Sequence, residues 1–236
     1  MATLFVVATP IGNLEDITFR AVRILSEVDL IAAEDTRTTK NLLTRYEITT
    51  QLTSYHKFNI KGKTDHLINL LRSGQNIALV SDAGTPGISD PGYELIKAAI
   101  EQGIKVEPIP GPSAAITALS VSGLPTEEFT FIGFLPKKPG KRRKALKNFK
   151  DDERTVVIYE SPYRLLKTLA DILTVLGERR VVVGRELTKK FEEIVRGTPT
   201  ELLNHFSEKA VKGEIVIIIG PVLLLDSQAT QRERHS

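Results

Sequence analysis

The chain has 236 residues, 41% apolar and 26% charged, a balance that suits one large globular domain or two of roughly 110 residues and excludes a disordered or collagen-like polymer. It lacks cysteine, which removes disulfides, thiolate metal sites, iron–sulfur clusters and cysteine nucleophiles together and fits a reducing compartment. A net charge of +3, from 32 basic and 29 acidic residues, says little about partners until its distribution is known.

From the N-terminus, the apolar run LFVVA reads as a strand, followed by Ile17, Ala21, Ile24, Leu25 and Val28 at helical spacing, the strand LIAA and a polar helix around 38–46. The rhythm continues with HLINLLRS, the strand IALV, the helix YELIKAAI and the strand KVEPI, as expected for a sheet covered by helices on both faces. Ser122-Gly123-Leu124-Pro125 is a punctuation cluster and the expected linker. Beyond it come the strands FTFIGF, TVVIYE, RVVVGR and EIVIIIG, with the longest helix expected from about Pro162 to Leu176. Two α/β domains are therefore expected, 1–120 and 125–221, without a repeat between them and with a polar, disordered tail over 226–236. The longest apolar stretches, 4–8 and 215–225, fall short of the ~18 residues that cross a bilayer. With no signal-peptide pattern at the start, a cytoplasmic protein without membrane partners is expected.

Several chemistries lack their signatures. No two glycines stand at i, i+2, so the G-x-G-x-x-G dinucleotide fingerprint is absent, as is the phosphate loop G-x-x-x-x-G-K-[ST]. His56, His66, His205 and His235 show no metal-ligand spacing, and no metal is expected. Gly111-Pro112-Ser113-Ala114-Ala115 superficially resembles a nucleophile elbow, but Ala115 replaces the closing glycine and no histidine partner is evident. Ser113 reads better as a helix cap.

Three strand ends carry turn-rich polar loops: Thr9-Pro10-Ile11-Gly12-Asn13-Leu14, the run from Ser81 to Gly92 with three glycines and two prolines, and Pro110-Gly111-Pro112-Ser113. Glycine lets a ligand approach the main chain, and proline stiffens its path. If the strands are parallel, these loops gather at the carboxyl edge of the sheet, where open α/β sheets bind ligands. Glu34-Asp35-Thr36-Arg37 ends LIAA with paired carboxylates that serve equally well as substrate ligands, a general base or a helix cap. Polar groups also close strands in 159–164 and 184–190. From Pro136 to Lys150 stand Lys137, Lys138, Lys141, Arg142, Arg143, Lys144, Lys147 and Lys150 with no acid among them. These eight cations leave the rest of the chain at −5, the pattern of a phosphate-backbone contact on an otherwise acidic body.

The segments TPIGNLEDIT, EDTRTTKNLL, SDAGTPGISDPG, PIPGPSA, GFLP, YESPYR and GRELTKKFEE, together spanning nearly all of Leu4 to Gly220, make the chain resemble the tetrapyrrole methylase superfamily. Within it, the order of motifs resembles the branch that methylates the ribose 2′-hydroxyl of a cytidine in 16S ribosomal RNA. The resemblance implies two α/β domains, usually a homodimer, binding S-adenosylmethionine in the interdomain cleft without a Rossmann fingerprint. It implies cofactor contacts at Pro10, at Ser81, Asp82, Ala83, Gly84, Thr85 and Pro86, at Ile88, and at Ser113 and Ala114, with Tyr159, Arg185 and Glu186 contributing from the second domain. For proton removal from the hydroxyl, Glu34, Asp35, Glu160 and Glu186 are candidate acceptors and Lys189 a cation able to lower its pKa; the sequence does not select among them. The basic segment, Lys137 to Lys147, is the expected RNA contact. Competing readings are a small carboxylated tetrapyrrole as methyl acceptor and a non-catalytic RNA-binding module.

Overall fold

The computed structural model describes residues 2–208 and 210–222, so the tail expected over 226–236 lies outside the described residues. The chain divides into two compact units, the second beginning at Ala114.

In the first unit, β1 (Thr3–Val7), β2 (Leu30–Ala33), β3 (Leu52–Ser54), β4 (Ile77–Val80) and β5 (Lys105–Ile109) form one sheet in the order β3-β2-β4-β1-β5. Every pairing in it is parallel. The connections are α1 (Phe19–Glu27), α2 (Thr36–Arg45), α3 (Ile60–Arg72) and α4 (Tyr93–Glu101), with a short 3-10 turn over Leu14–Asp16. The apolar runs of the central strands have a direct cause. Ala78 and Val80 join a core with Ile24, Leu25 and Leu43, whereas Ile77 and Leu79 face the opposite core with Leu67, Leu71 and Leu95. A strand buried on both faces has no polar side to show. The caps follow chemistry as well: the Thr18 hydroxyl accepts from the Ala21 amide at 3.1 Å, and Asp35 accepts from the Arg37 amide at 2.8 Å.

The second unit contains α5 (Ala114–Ser120), β6 (Phe129–Phe134), α6 (Pro139–Lys147), β7 (Thr155–Glu160), α7 (Leu165–Leu176), β8 (Val181–Arg185), β9 (Glu193–Gly197), α8 (Pro199–Ser207) and β10 (Ile215–Ile219). Its sheet runs β6-β7-β10-β8-β9, with β6 and β7 parallel and the other neighbours antiparallel. The core is built by Leu165, Leu169, Ile172 and Leu176 of α7 against Ile158, Val183, Ile215 and Ile217. Gly133, at φ +62°, sits where the β6–β7 register shifts, a left-handed conformation that glycine adopts without strain.

The eight strands read from sequence are present; β3 and β9, both at sheet edges, are additional. β3 has three residues and no fully buried one, so it carries no apolar run to notice. α8 is also additional, although Thr198 and Glu201 form a reciprocal capping box at its start. α7 begins at Leu165 rather than Pro162, because Ser161 to Arg164 form a turn closed by the Arg164 amide on the Ser161 carbonyl at 2.9 Å. The two units part at Ser113/Ala114 rather than at 122–125, since α5 packs on β7 and β10. Among the described residues no helix is long and apolar enough to cross a membrane.

Candidate active site

Parallel pairing brings the carboxyl ends of β2, β4, β1 and β5 side by side, and their loops meet there. Thr9 and Gly84 exchange both main-chain hydrogen bonds, at 2.9 and 3.0 Å, bridging the loops after β1 and β4. The buried Thr9 hydroxyl donates to the Ser81 carbonyl at 3.1 Å. Gly84 adopts φ +78°, and a Cβ on it would stand 3.6 Å from Ile11 and 3.7 Å from the Pro112 carbonyl. A Cβ on Gly111 would approach Ala8 to 3.0 Å, tighter than ordinary packing tolerates. The three loops singled out in the sequence thus converge at one edge of the first unit, and glycine is what lets them close on one another.

Within this edge Pro10, Ser81, Gly84 and Pro86 are buried, Ala83, Thr85 and Ser113 are half-buried, and Asp82 and Ile88 are exposed; Ala114, which opens the second unit, is half-buried. Carboxylates border it. The Asp35 amide donates to Asp82 at 3.0 Å, which couples the end of β2 to the loop after β4. Asp35 itself accepts from the Arg37 guanidinium at 2.6 to 3.2 Å, and these bonds hold its carboxyl down at about 2. Its neighbour behaves oppositely: burial, then the negative charge of Asp82, push the Glu34 carboxyl above its ordinary value, against the pull of Lys57. Two adjacent carboxylates therefore differ in basicity because one is paired and capping while the other is partly desolvated and faces like charge.

The second unit gathers its own strand ends. Ile215, which opens β10, pairs with Glu160 on one side and Arg185 on the other, so GFLP, YESPYR and GRELTKK share one edge of this sheet with the residues just before β10. Tyr159 stands edge-on to Phe131 and Phe134, with ring centroids 4.9 and 5.7 Å away. Arg185 donates to Glu193 at 2.9 Å, and the other oxygen of Glu193 lies 2.9 Å from His205. Lys189 bridges Glu186 at 2.9 Å and Glu214 at 3.0 Å. Burial pushes the Glu186 carboxyl up, but Lys189 and the Glu214 amide bring it below its ordinary value. Burial likewise opposes the Lys189 charge, and the two carboxylates outweigh it, so that residue stays an ammonium.

Two sequence-predicted assignments do not survive this geometry. Glu160 is fully buried and accepts from Ser161 N at 2.7 Å, Arg164 Nη2 at 3.1 Å and Thr168 Oγ1 at 2.5 Å. A carboxylate so enclosed is a structural anchor rather than a base for a substrate proton. Arg142, expected to touch phosphate, is buried and pairs with Asp171 at 2.6 Å, because α6 is a helix whose inward face carries Arg142 and Leu146. Lys137, Lys138, Lys141, Arg143, Lys144 and Lys147 remain exposed. Arg164, which pairs with Glu160, and Gly213, which abuts Glu186, are two positions beside the candidate residues that the sequence leaves unassigned. The first lies in plain view in YESPYR; the second shows its role only in space, since a Cβ there would collide with Glu186.

An open depression of about 540 Å³ lies against α2 and β3, lined by Thr36, Lys40, Thr44 and Thr50 among others, apart from the converging loops. Among the described residues no three potential metal ligands cluster.

A family model described as Tetrapyrrole (Corrin/Porphyrin) Methylases matches residues 3–203. The chain belongs to that family. Among curated relatives it is 56% identical over 217 residues to the Ribosomal RNA small subunit methyltransferase I of Halalkalibacterium halodurans, covering 92% of this chain and 75% of that protein. The protein of the same name from Thermotoga maritima is 49% identical over 219 residues, 93% of this chain and 98% of its own length. Of solved structures, cobalt precorrin-4 methyltransferase aligns with a TM-score of 0.70 at 16% identity, over 92% of this chain and 94% of that one. Diphthine synthase aligns at 0.71 with 13% identity, over 93% and 90%. At such identities these two show that this tetrapyrrole methylase family member shares their fold.

Proposed function

We propose that this chain is an S-adenosylmethionine-dependent methyltransferase that methylates the ribose 2′-hydroxyl of a cytidine in small-subunit ribosomal RNA. The observation that carries the reading is identity of 48 to 56% over more than nine-tenths of the chain to proteins named Ribosomal RNA small subunit methyltransferase I. The structural neighbours that act on tetrapyrroles are too distant in sequence to speak for the acceptor.

The residues present fit the cofactor. The loop edge of the first unit is built from small and proline side chains, so main-chain amides and carbonyls are what it offers to polar ligand edges. Glu34, Asp35 and Asp82 border it with negative charge, complementary to a sulfonium and an ammonium. On this reading Pro10, Ser81 to Pro86, Ile88 and Ser113 hold the cofactor from the first unit, and Ala114, Tyr159, Arg185 and Glu186 from the second.

When bound, the cofactor supplies a methyl group already activated by positive sulfur. The chain's contribution is alignment of the ribose oxygen and removal of its proton. Glu34 is the assigned base: its raised pKa gives it more proton affinity than Asp35, which Arg37 keeps strongly acidic. Lys189, held as an ammonium, provides positive charge to the developing alkoxide, moderated by its two carboxylate partners. The enzyme works in the cytoplasm as a homodimer. Mass spectrometry of 16S ribosomal RNA from a strain lacking the gene is expected to show one ribose methyl missing, restored by the wild-type gene and not by Glu34→Gln; an unaltered methylation profile overturns the reading.

A further inference from the structure

Phe134 closes β6, and Tyr163 lies in the turn before α7; the two residues are 57% and 89% exposed. Exposed aromatic rings are common enough to mean nothing singly. What distinguishes these two is that the residues following them are bonded together: Arg164 Nη2 donates to the Leu135 carbonyl at 2.8 Å. Arg164 is in turn gripped by the buried Glu160 carboxylate, 2.9 Å from Nε to Oε1, and Thr168 and Ser161 complete that carboxylate's hydrogen bonding. Below Phe134 stands Tyr159, edge-on at 5.7 Å. A buried ion pair thus fixes two loops that each present an aromatic ring to solvent, and among the described residues Tyr163 has no ring partner. After Leu135 and Pro136 come Lys137 and Lys138 and then the exposed cations of α6, with no carboxylate between 135 and 150.

Rings in solvent beside a run of exposed cations, in which Arg143 meets Asp171 at 3.5 Å and the lysines face solvent, match one kind of partner: a polyanion whose flat bases are free to stack. We propose that Phe134 and Tyr163 are a stacking platform for unpaired nucleotides of the substrate, held at fixed spacing by the Glu160–Arg164–Leu135 clamp, with the adjoining phosphates on Lys137, Lys138 and the outer side of α6. The proposal rests on the RNA-methylating reading and adds that the substrate segment is presented single-stranded. Along its grooves a duplex shows only edges and backbone, so its interior bases cannot stack on the platform.

The test uses the full chain and a fluorescein-labelled oligoribonucleotide, unpaired or annealed as a blunt duplex, followed by anisotropy across a salt series. Phe134→Ala and Tyr163→Ala are each expected to weaken unpaired RNA binding by about tenfold, leave duplex binding and the salt slope unchanged, and be rescued at position 163 by Tyr163→Trp. Equal losses on duplex and single strand overturn the proposal. So does unchanged RNA affinity, whether or not light scattering shows the variants shifting from dimer to monomer; that shift would mark the rings as a contact between two copies. Methylation of ribosomal RNA by the wild-type chain is scored in parallel: its presence without a stacking effect defeats the platform alone, whereas its absence defeats the RNA reading itself.

Discussion

Glu34 and Glu160 show how little a carboxylate's identity says before its surroundings are known. Both end apolar strands, and from sequence both are equal candidates for a base. In the structure Glu160 is enclosed by Arg164, Thr168 and Ser161, whereas Glu34 is half-buried near Asp82 and keeps a raised proton affinity. Their substitutions are therefore expected to have opposite signatures. Glu34→Gln should lower kcat by about 10²-fold with little loss of fold stability, because the positioned base is removed and no ion pair is broken. Glu34 must be ionised to accept a proton, so the acid limb of the wild-type pH–rate profile should rise through a pKa above the ordinary 4.5 and flatten in Glu34→Gln. Asp35, at about 2, is ionised across that whole range and contributes no limb. Glu160→Gln should instead cost about 3 kcal/mol in urea unfolding, since it leaves Arg164 without its buried partner, while the acid limb persists.

At the scale of elements, α6 is the instructive case. In the sequence it stands out only as a basic stretch, and no helix is read there. A helix sorts its residues by face, and that sorting turns Arg142 and Leu146 inward while Lys141, Arg143, Lys144 and Lys147 stay in solvent. Of the cations that look alike in the sequence, Arg142 is buried on Asp171 of α7, Arg143 reaches the same carboxylate at 3.5 Å from its exposed position, and the exposed lysines are available to phosphate. Replacing Lys141, Arg143, Lys144 and Lys147 by alanine should weaken RNA binding and reduce its logarithmic salt slope by about 0.7 for each phosphate no longer neutralised. Arg142→Ala should leave that slope unaltered and lower stability by about 3 kcal/mol, because Asp171 is left buried without its principal partner. The edge strands β3 and β9 make the same point from the other side: half-exposed pairing partners need no apolar run, so composition does not announce them.

For the whole molecule, the proposed function requires both units to contribute to one cofactor. Isothermal calorimetry is the measurement that checks it. Ile88→Ala in the first unit should lower S-adenosylmethionine affinity by about tenfold, equivalent to ~1.4 kcal/mol of apolar burial removed, with an unchanged melting temperature because Ile88 is half exposed. Arg185→Gln in the second unit should lower it as well; an effect of Ile88 alone would confine the cofactor to the first unit.

Much of the architecture is legible in the chain itself, since apolar strands buried on both faces and glycine-rich turns at their ends are local consequences of residue type. LFVVA and IALV read as interior strands, and the glycines of the loops that follow mark turns where the main chain can be approached. Which strand neighbours which, and hence that the loops after β1, β4 and β5 meet while Asp35 reaches Asp82, was decided only by the fold. The same holds for the roles of Glu160, Arg142 and Gly213. Charge, burial and hydrogen bonding are set by residues far away along the chain, and a side chain acquires its chemistry from those neighbours rather than from its name.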